Sequence, residues 1–260
     1  MQTAVPAEPL WLRILQFPLT RLIVLGGIIF CMMAWSESRI EAFKDSPLIG
    51  VAIAVAMALV AMAVYVAWGK WIERRDVTEL SLPGAGREWA IGGLIGVVLY
   101  SGCVLLLMLF GMYRIEGLNP LSYMIPAAAM AVKSSVFEEL LFRGVLFRSV
   151  EAMAGSWIAI IVSSLVFGLL HLLNPDATIA GAVYIAIEAG LLLAAAYLVT
   201  RRLWMAIGYH MLWNYVQSAV FSGIVSGTGS LTKSSTAPVV LSGVNTYSGG
   251  TFLNGGNLVV

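Results

Sequence analysis

The sequence predicts an all-α polytopic membrane protein, a bundle of about seven transmembrane helices followed by a short Gly/Ser/Thr-rich, β-prone tail. Of its 260 residues, 60% are hydrophobic and only 11% are charged, whereas about 25% of residues are charged in a soluble domain. The mean hydropathy is +0.90, and several apolar runs approach or reach the roughly 20 residues that a helix needs to cross the bilayer core. With a net charge of +1, we expect the lipid bilayer as a partner and no nucleic acid.

Seven apolar spans follow one another along the chain, and tryptophans lie near the ends of several, as expected at the level of the lipid headgroups. Leu10–Thr20 either extends the short first span as an interfacial helix or forms a separate eighth element. Cys31 and Cys103 lie inside spans, which predicts two buried free thiols rather than a disulfide. The predicted spans are Leu22–Trp35, Leu48–Gly69, Trp89–Met112, Leu121–Leu146, Trp157–Leu173, Ile179–Val199 and Leu203–Gly223.

The distribution of Lys and Arg predicts the orientation, because these residues are retained on the cytoplasmic side of a membrane. An N-terminus on the inside places the C-terminal tail outside, since the number of spans is odd. The outer segments then carry only Arg39, Lys44, Arg114 and Lys233. The inner segments carry Arg13, Arg21, Lys70, Arg74, Arg75, Arg87, Arg143, Arg148, Arg201 and Arg202.

The tail from Gly227 to Val260 is rich in Gly, Ser, Thr and Asn, and its turn formers separate short apolar pieces that are typical of strands. The string VVLSGVNTYSGGTFLNGGNLVV resembles the repeat of autotransporter passenger domains, whose copies stack as rungs of a β-helix. Because one rung cannot bury its own apolar face, a single copy predicts a loosely ordered tail or a fusion remnant; an adhesive or partner-binding role is the alternative. The chain thus divides into a cytoplasmic or interfacial segment, a helical domain and a tail, at residues 1–21, 22–227 and 228–260.

Two acidic residues and an arginine lie together in FEELLFRG, within the fourth span. A charged side chain costs about 2.5 kcal/mol or more at the centre of a spanning helix, so such residues predict a functional site. Glu139 and Arg143 are four residues apart and therefore share a helix face, which predicts an ion pair. Glu138 is rotated by about 100° and stays free for chemistry. The alternative is a helix end whose charged side chains reach water at the membrane surface.

Two histidine motifs lie in later spans. His171 ends FGLLH, and His210 is followed by Asn214 in HMLWN, so that a ring nitrogen and an amide share one face. A lone histidine in an apolar helix is usually a hydrogen-bonded core residue, but a rise of about 1.5 Å per residue lets all three motifs reach the inner half or middle of the bilayer. Glu188 is a further carboxylate in a span, which either lines the same cavity or pairs with Lys133 or another donor.

The motifs EExxxR, FxxxH and HxxxN, in this order, resemble the CPBP family of intramembrane proteases, which includes CAAX-processing and bacteriocin-processing enzymes and the Ras-converting endopeptidase. The strings ERRDVTELSL, HLLNPDAT and AGLLLAAAYLVTRRLWMAIGYHMLWN also fit bacterial members, so the resemblance covers roughly Trp71 to Gly227. It implies an endopeptidase of the bacterial inner membrane that acts on a peptide or membrane-protein substrate.

The resemblance also implies roles for the motif residues. Glu138 and His171 would activate the attacking water, and His210 with Asn214 would stabilise the oxyanion. The remaining two, Glu139 and Arg143, would be supporting residues.

Metal dependence stays open at the level of sequence. One glutamate and two histidines, Glu138, His171 and His210, could supply the three protein ligands of a zinc-like catalytic metal. No HExxH motif is present, however, and a glutamate can activate water without an ion.

Two non-enzymatic alternatives are a scaffold or immunity protein with the same fold, and a transporter. The hydropathy contains no inverted repeat of the kind that many transporters have, and the complete set of polar residues favours the enzyme.

Overall fold

The computed structural model describes residues 8–111, 113, 121–174 and 177–221, together with six short strands in the tail. Outside the tail, these residues are largely helical. Within the described ranges, five helices are long and apolar enough to cross a membrane, namely Pro18–Ala42, Pro47–Ile72, Ala85–Leu109, Ser156–Leu173 and Ile179–Thr200. The predicted all-α polytopic fold is confirmed.

Ten α-helices occur in the described part of the chain, and several continue directly into π-helical turns. They are α1 (Leu10–Gln16), α2 (Pro18–Ala42), α3 (Pro47–Ala67), α4 (Ala85–Leu109), α5 (Leu121–Glu139), α6 (Arg148–Ala154), α7 (Ser156–Leu170), α8 (Ile179–Ile185), α9 (Leu191–Thr200) and α10 (Trp204–Tyr215). The π-helical turns are Trp68–Ile72, Leu140–Phe147, Ala186–Gly190 and Val216–Val220, and 3-10 turns cover Thr78–Leu80 and His171–Leu173.

Two further helical runs lie where the sequence predicts the fourth and seventh spans, and both carry polar motifs. The first joins α5 and α6 through the π-helical turn Leu140–Phe147, and the second is α10 with its own π-helical turn. Observed ends lie within a few residues of the predicted ones, except that α2 is longer at both ends and the fourth run continues past Leu146 to Ala154. It starts at Pro18, whose fixed φ suits the first turn of a helix. The short helix α1 is a separate element, because the chain is extended at Phe17.

Glycines bring α4 and α10 into close contact. A Cβ atom on Gly92 would lie 2.0 Å from the carbonyl oxygen of Met205, and one on Gly208 would lie 2.1 Å from that of Trp89. Only small residues allow two transmembrane backbones to approach so closely. This packing fixes the helix that carries His210.

A buried network of charges lies at one end of the bundle. The Arg148 guanidinium donates to Glu73 Oε2 at 2.8 Å, Arg75 Nη1 donates to Glu79 Oε2 at 2.9 Å, and Arg21 Nη1 lies 3.4 Å from Glu73 Oε1. Burial alone would raise the pKa of Glu73, but the charge of Arg148 and hydrogen bonds from Arg148 and Arg75 lower it to about 2. The network ties the start of α2, the segment after α3 and the start of α6 together.

The turn between α9 and α10 lies at the same end. Arg201 Nη1 donates to Glu151 Oε2 at 2.8 Å, Arg202 Nη1 donates to the Pro83 carbonyl at 2.7 Å, and the Leu203 amide donates to the Glu79 carbonyl at 2.9 Å. The segments that the charge pattern assigns to the inner side therefore meet at one end of the bundle.

The tail strands pair in parallel. Ser226 is level with Thr246, Leu231 with Thr251, and Val239 with Leu258. The strands are β1 (Ser226–Gly227), β2 (Leu231–Lys233), β3 (Val239–Val240), β4 (Thr246–Tyr247), β5 (Thr251–Leu253) and β6 (Leu258–Val259), paired β1 with β4, β2 with β5 and β3 with β6. Strands β4, β5 and β6 thus lie alongside β1, β2 and β3.

The prediction of buried thiols is wrong. Cys31 and Cys103 are free, but both are exposed on the outside of the bundle. The lipid-facing side of a spanning helix is as apolar as its packed side. An apolar neighbourhood in the sequence therefore gives no indication of which side a cysteine occupies.

Candidate active site

The centre of the site is a buried ion pair within one helical run. Glu139 is the last residue of α5, Arg143 lies in the π-helical turn that follows, and neither is exposed. Arg143 Nη1 donates to Glu139 Oε1 at 2.9 Å, and Nη2 donates to the Gly190 carbonyl at 3.0 Å. The ion pair predicted from the four-residue spacing is present. A buried charge of this kind is tolerable only when it is both paired and hydrogen-bonded.

Aromatic rings surround the Arg143 guanidinium. Its central carbon lies 5.0 Å from the ring centre of Phe167 and 5.9 Å from that of Phe142. Both distances fall within the range of cation–π attraction. Together with the ion pair, these contacts hold the arginine in one place.

His210 joins this pair from α10. Its Nδ1 lies 2.8 Å from Glu139 Oε1, and the residue is 6% exposed. A carboxylate paired with arginine accepts hydrogen bonds, so we assign the proton to Nδ1. The other ring nitrogen, Nε2, then lies 3.8 Å from Glu138 Oε2. Glu139 therefore orients the imidazole toward the neighbouring glutamate.

Glu138 is the carboxylate that lines a cavity. Its Oε2 is buried and has no hydrogen-bond partner among the described residues. Glu139 Oε2 is also buried without such a partner, but Glu139 does not line the cavity and its Oε1 accepts two hydrogen bonds. The Glu138 side chain lines a cavity of about 630 Å³ between α2, the π-helical turn Leu140–Phe147 and α7. A buried polar atom without a hydrogen-bond partner lowers the stability of the fold by about 1–3 kcal/mol. Such an atom at a cavity wall is expected of a group that binds a substrate or a water molecule.

His171 lines the same cavity from the end of α7. Its Nδ1 lies 2.8 Å from the Phe167 carbonyl oxygen. Because a carbonyl can only accept, Nδ1 carries the proton, and in the neutral ring Nε2 keeps a lone pair. The Phe167 ring lies 4.9 Å from the His171 ring and 6.0 Å from the His210 ring, so one phenylalanine packs against both histidines.

Asn214 forms a hydrogen bond with α5, the helix that ends at Glu139. Its Nδ2 donates to Ser134 Oγ at 3.0 Å. The side chain does not line the cavity that Glu138 and His171 share. Asn214 lies one helical turn beyond His210, and neither residue is among those that line this cavity.

The three residues considered as metal ligands do not gather into a metal-binding set. Within the part of the chain that the structure describes, no three or more His, Cys, Asp or Glu side chains come close enough to hold an ion. A catalytic zinc needs three protein ligands around an open position. The arrangement of Glu138, His171 and His210 does not fit that requirement, and we derive no step through a metal.

Glu188 does not line the cavity, contrary to one of the two expectations from the sequence. The residue is exposed, and Lys133 forms an ion pair with Glu37 instead. The reason is the packing of α7 against the π-helical turn Ala186–Gly190. A Cβ atom on Gly190 would lie 2.9 Å from Ser164, so the face of the turn that carries Gly190 packs against α7. Glu188 is two residues earlier and lies on the opposite, exposed face.

Three contacts were not predicted from the sequence. Ser134 could have been found, because it lies four residues before Glu138 on the same helix face. The Gly190 carbonyl leaves no mark in the sequence, since every residue has one. Tyr65 lies in a distant span, yet its hydroxyl accepts a hydrogen bond from Arg148 Nη1 at 3.0 Å and lies 3.1 Å from the Gly144 carbonyl.

A protein-family model described as "Rce1-like: Type II CAAX prenyl endopeptidase Rce1-like" matches residues 119–216. This part of the chain is similar to that family. The match supports an endopeptidase of this general, membrane-embedded type. Comparisons with curated proteins and with solved structures give no match. The matched segment contains all the polar motif residues, namely Glu138, Glu139, Arg143, His171, His210 and Asn214.

Proposed function

We propose that the protein is an intramembrane endopeptidase in which Glu138 and His171 activate a water molecule for attack on a peptide carbonyl. The observation that carries this proposal is the unpartnered, buried Oε2 of Glu138 at the wall of the cavity, 3.8 Å from His210 Nε2. A carboxylate with no other partner is available to take a proton, and the similarity to CAAX endopeptidases supports this chemistry.

The proposed reaction uses Glu138 twice. Its carboxylate takes a proton from water while the water oxygen bonds to the carbonyl carbon, and His171 Nε2 accepts the second water hydrogen as a hydrogen bond. The protonated carboxyl then gives its proton to the amide nitrogen as the carbon–nitrogen bond breaks. The second water hydrogen stays on the product, so that a carboxylic acid and an amine are released and the acid then loses its proton to water.

His210 and Asn214 are assigned to the oxyanion. With Nδ1–H directed at Glu139, Nε2 donates a hydrogen bond only in the imidazolium form, whose charge then lies between Glu138 and Glu139. Asn214 has two amide hydrogens, and only one is used by Ser134. Each such donor contributes about 2.7–4 kcal/mol to the stability of the transition state.

We further propose that the substrate is a peptide or membrane protein that is cleaved within the inner membrane of a bacterium, with the N-terminus of the enzyme inside and its tail outside. The apolar lining of the cavity supports a substrate that comes from the bilayer. The excess of cations at one end of the bundle supports the orientation.

The proposal is tested with purified protein in liposomes and a set of membrane-segment peptides, with cleavage products identified by mass spectrometry. We expect the wild type to cleave, and His171→Ala and His210→Ala each to lose at least about 10² in kcat. Glu151→Gln, which changes a carboxylate at the charged end of the bundle, is the matched control and keeps the wild-type kcat.

A chelation arm separates the two ways of activating water. Wild-type activity should be unchanged by a strong chelator, because a glutamate-activated water needs no ion. Loss of activity that added zinc restores would overturn the metal-free mechanism. Normal cleavage in both histidine variants would contradict the roles of His171 and His210, and absence of cleavage by the wild type would favour a scaffold or immunity protein.

A further inference from the structure

The cavity has one wall that lies outside the segment similar to CAAX endopeptidases. This wall belongs to α2, where Gly26 and Gly27 face the same cavity as Glu138 and His171. A Cβ atom on Gly27 would meet nothing within 4 Å, whereas one on Gly26 would lie 3.6 Å from Val145. Helix packing therefore does not explain the glycine at position 27.

Glycine in the interior of a helix also has a cost. It is about 1 kcal/mol less favourable than alanine there. With open space beside it and no turn to form, Gly27 leaves room in the cavity without supporting any other part of the fold.

The cavity opens on the side of the bundle, between α2 and α7. Phe30 and Leu170 at its rim are 51% and 45% exposed. Its polar lining residues are Glu138, His171 and Asn174, and the rest are apolar or glycine. Such a wall offers few hydrogen-bond partners to a peptide backbone, and burying backbone polar groups without hydrogen bonds costs free energy. Hydrocarbon side chains suit it better.

We infer that Gly27 is a specificity-determining residue: it sets the size of the apolar side chain that a substrate places beside the scissile bond. The inference rests on the proposed endopeptidase function. It assigns to this cavity substrates with a bulky apolar residue next to the cleaved bond. Burying such a side chain contributes about 1.5–3 kcal/mol, which is a preference of about 10- to 100-fold over alanine.

The experiment compares Gly27→Leu with Gly102→Leu. Gly102 lies on α4, a Cβ atom added to it would also meet nothing within 4 Å, and it does not line the cavity. The probes are peptides in which each residue around the scissile bond is Ala or Phe in turn. At one position, the wild-type preference for Phe over Ala in kcat/KM should fall by about 10- to 100-fold in Gly27→Leu and stay unchanged in Gly102→Leu. An unchanged preference in both variants overturns the inference.

A binding measurement separates this inference from the reaction itself. Cysteine is introduced at position 27 or 102 in a Cys31→Ser, Cys103→Ser background that also carries Glu138→Gln. Peptides that carry one cysteine at each position in turn are added with a mild thiol oxidant, and one of them should form a disulfide with Gly27→Cys and none with Gly102→Cys. A disulfide without hydrolysis by the unsubstituted enzyme would support the cavity assignment and contradict the proposed function. Hydrolysis without a disulfide at position 27 would contradict the specificity role alone.

Discussion

Two adjacent carboxylates in this chain differ because of their partners. Glu139 Oε1 accepts hydrogen bonds from Arg143 and His210, whereas Glu138 accepts none from the described residues and lines the cavity; the Oε2 atom of each is buried without a partner among them. The four-residue spacing predicts the first contact, since residues four apart share a helix face. The second joins residues 71 apart in sequence, and no local pattern could predict it.

The buried ion pair predicts a large loss of stability when one partner is removed. Arg143→Ala leaves Glu139 as a buried charge whose remaining partner is His210, and such a change costs about 3–5 kcal/mol. The thermal midpoint in detergent and the yield of folded protein should both fall.

A matched control is available at the charged end of the bundle. Arg201 pairs with Glu151, but its side chain is 52% exposed. Exposed ion pairs contribute at most about 1 kcal/mol, so Arg201→Ala should keep the wild-type midpoint within error. Equal behaviour of the two variants would argue against a structural role for the Glu139–Arg143 pair.

At the scale of elements, the π-helical turn Leu140–Phe147 positions the site. It begins directly after Glu139, and π-helical turns often occur at functional sites. A Cβ atom on Gly144 would lie 2.8 Å from the Tyr65 ring, so only glycine lets that ring pack here. Tyr65 thereby connects the charged end of the bundle to the turn that carries Arg143.

Removing only the Tyr65 hydroxyl tests this connection. Tyr65→Phe keeps the ring against Gly144 but removes hydrogen bonds to Glu79 and Arg148, at a cost of about 1–3 kcal/mol. We expect a lower thermal midpoint and a lower kcat with little change in KM. Tyr197→Phe is the control, because the Tyr197 hydroxyl makes no hydrogen bond within the described residues. A wild-type kcat in Tyr65→Phe would dismiss the connection.

The charged network also predicts a dependence of stability on pH. The folded-state pKa of Glu73 is about 2, below the ordinary value of a glutamate, so its contribution is complete above about pH 4.5 and is lost as the pH falls toward 2. The contribution is on the order of 3 kcal/mol.

Unfolding in detergent, followed between pH 6 and 2, measures this effect. The wild type should lose stability across that range, and Glu73→Gln should lose less. Parallel curves for the two proteins would show that Glu73 is not the group responsible.

At the scale of the whole molecule, hydropathy predicted the helical bundle well. Spans of apolar residues leave few alternatives to helices, because every backbone polar group must be satisfied within the hydrocarbon. The rise per residue along each helix predicted that the three motifs lie at a similar depth in the bilayer. It did not predict which face of each helix packs inward. Glu188 and the two cysteines lie outside, because the sequence of a span does not distinguish its lipid-facing side.

The orientation of the bundle is tested with reporter fusions. A reporter that is active only outside the cytoplasm should be active after Gly227 and silent between Thr200 and Leu203, because we expect the end of the bundle that is rich in cations to face the cytoplasm. Fusions after Leu109 and within the turn that follows α7 serve as controls, because the predicted topology places both outside, and the reporter should be active there. The reverse pattern would contradict a topology of seven spans with an external tail.

The central claim is that Glu138 is the base and Glu139 the residue that holds His210. The most direct measurement is kcat and thermal midpoint for Glu138→Gln and Glu139→Gln, purified side by side with the wild type. Glu138→Gln should lose about 10²–10⁴ in kcat with an unchanged midpoint. Glu139→Gln should lower the midpoint, because Arg143 loses its charged partner. Cleavage that survives in Glu138→Gln but is abolished in a stably folded Glu139→Gln would contradict the assignment.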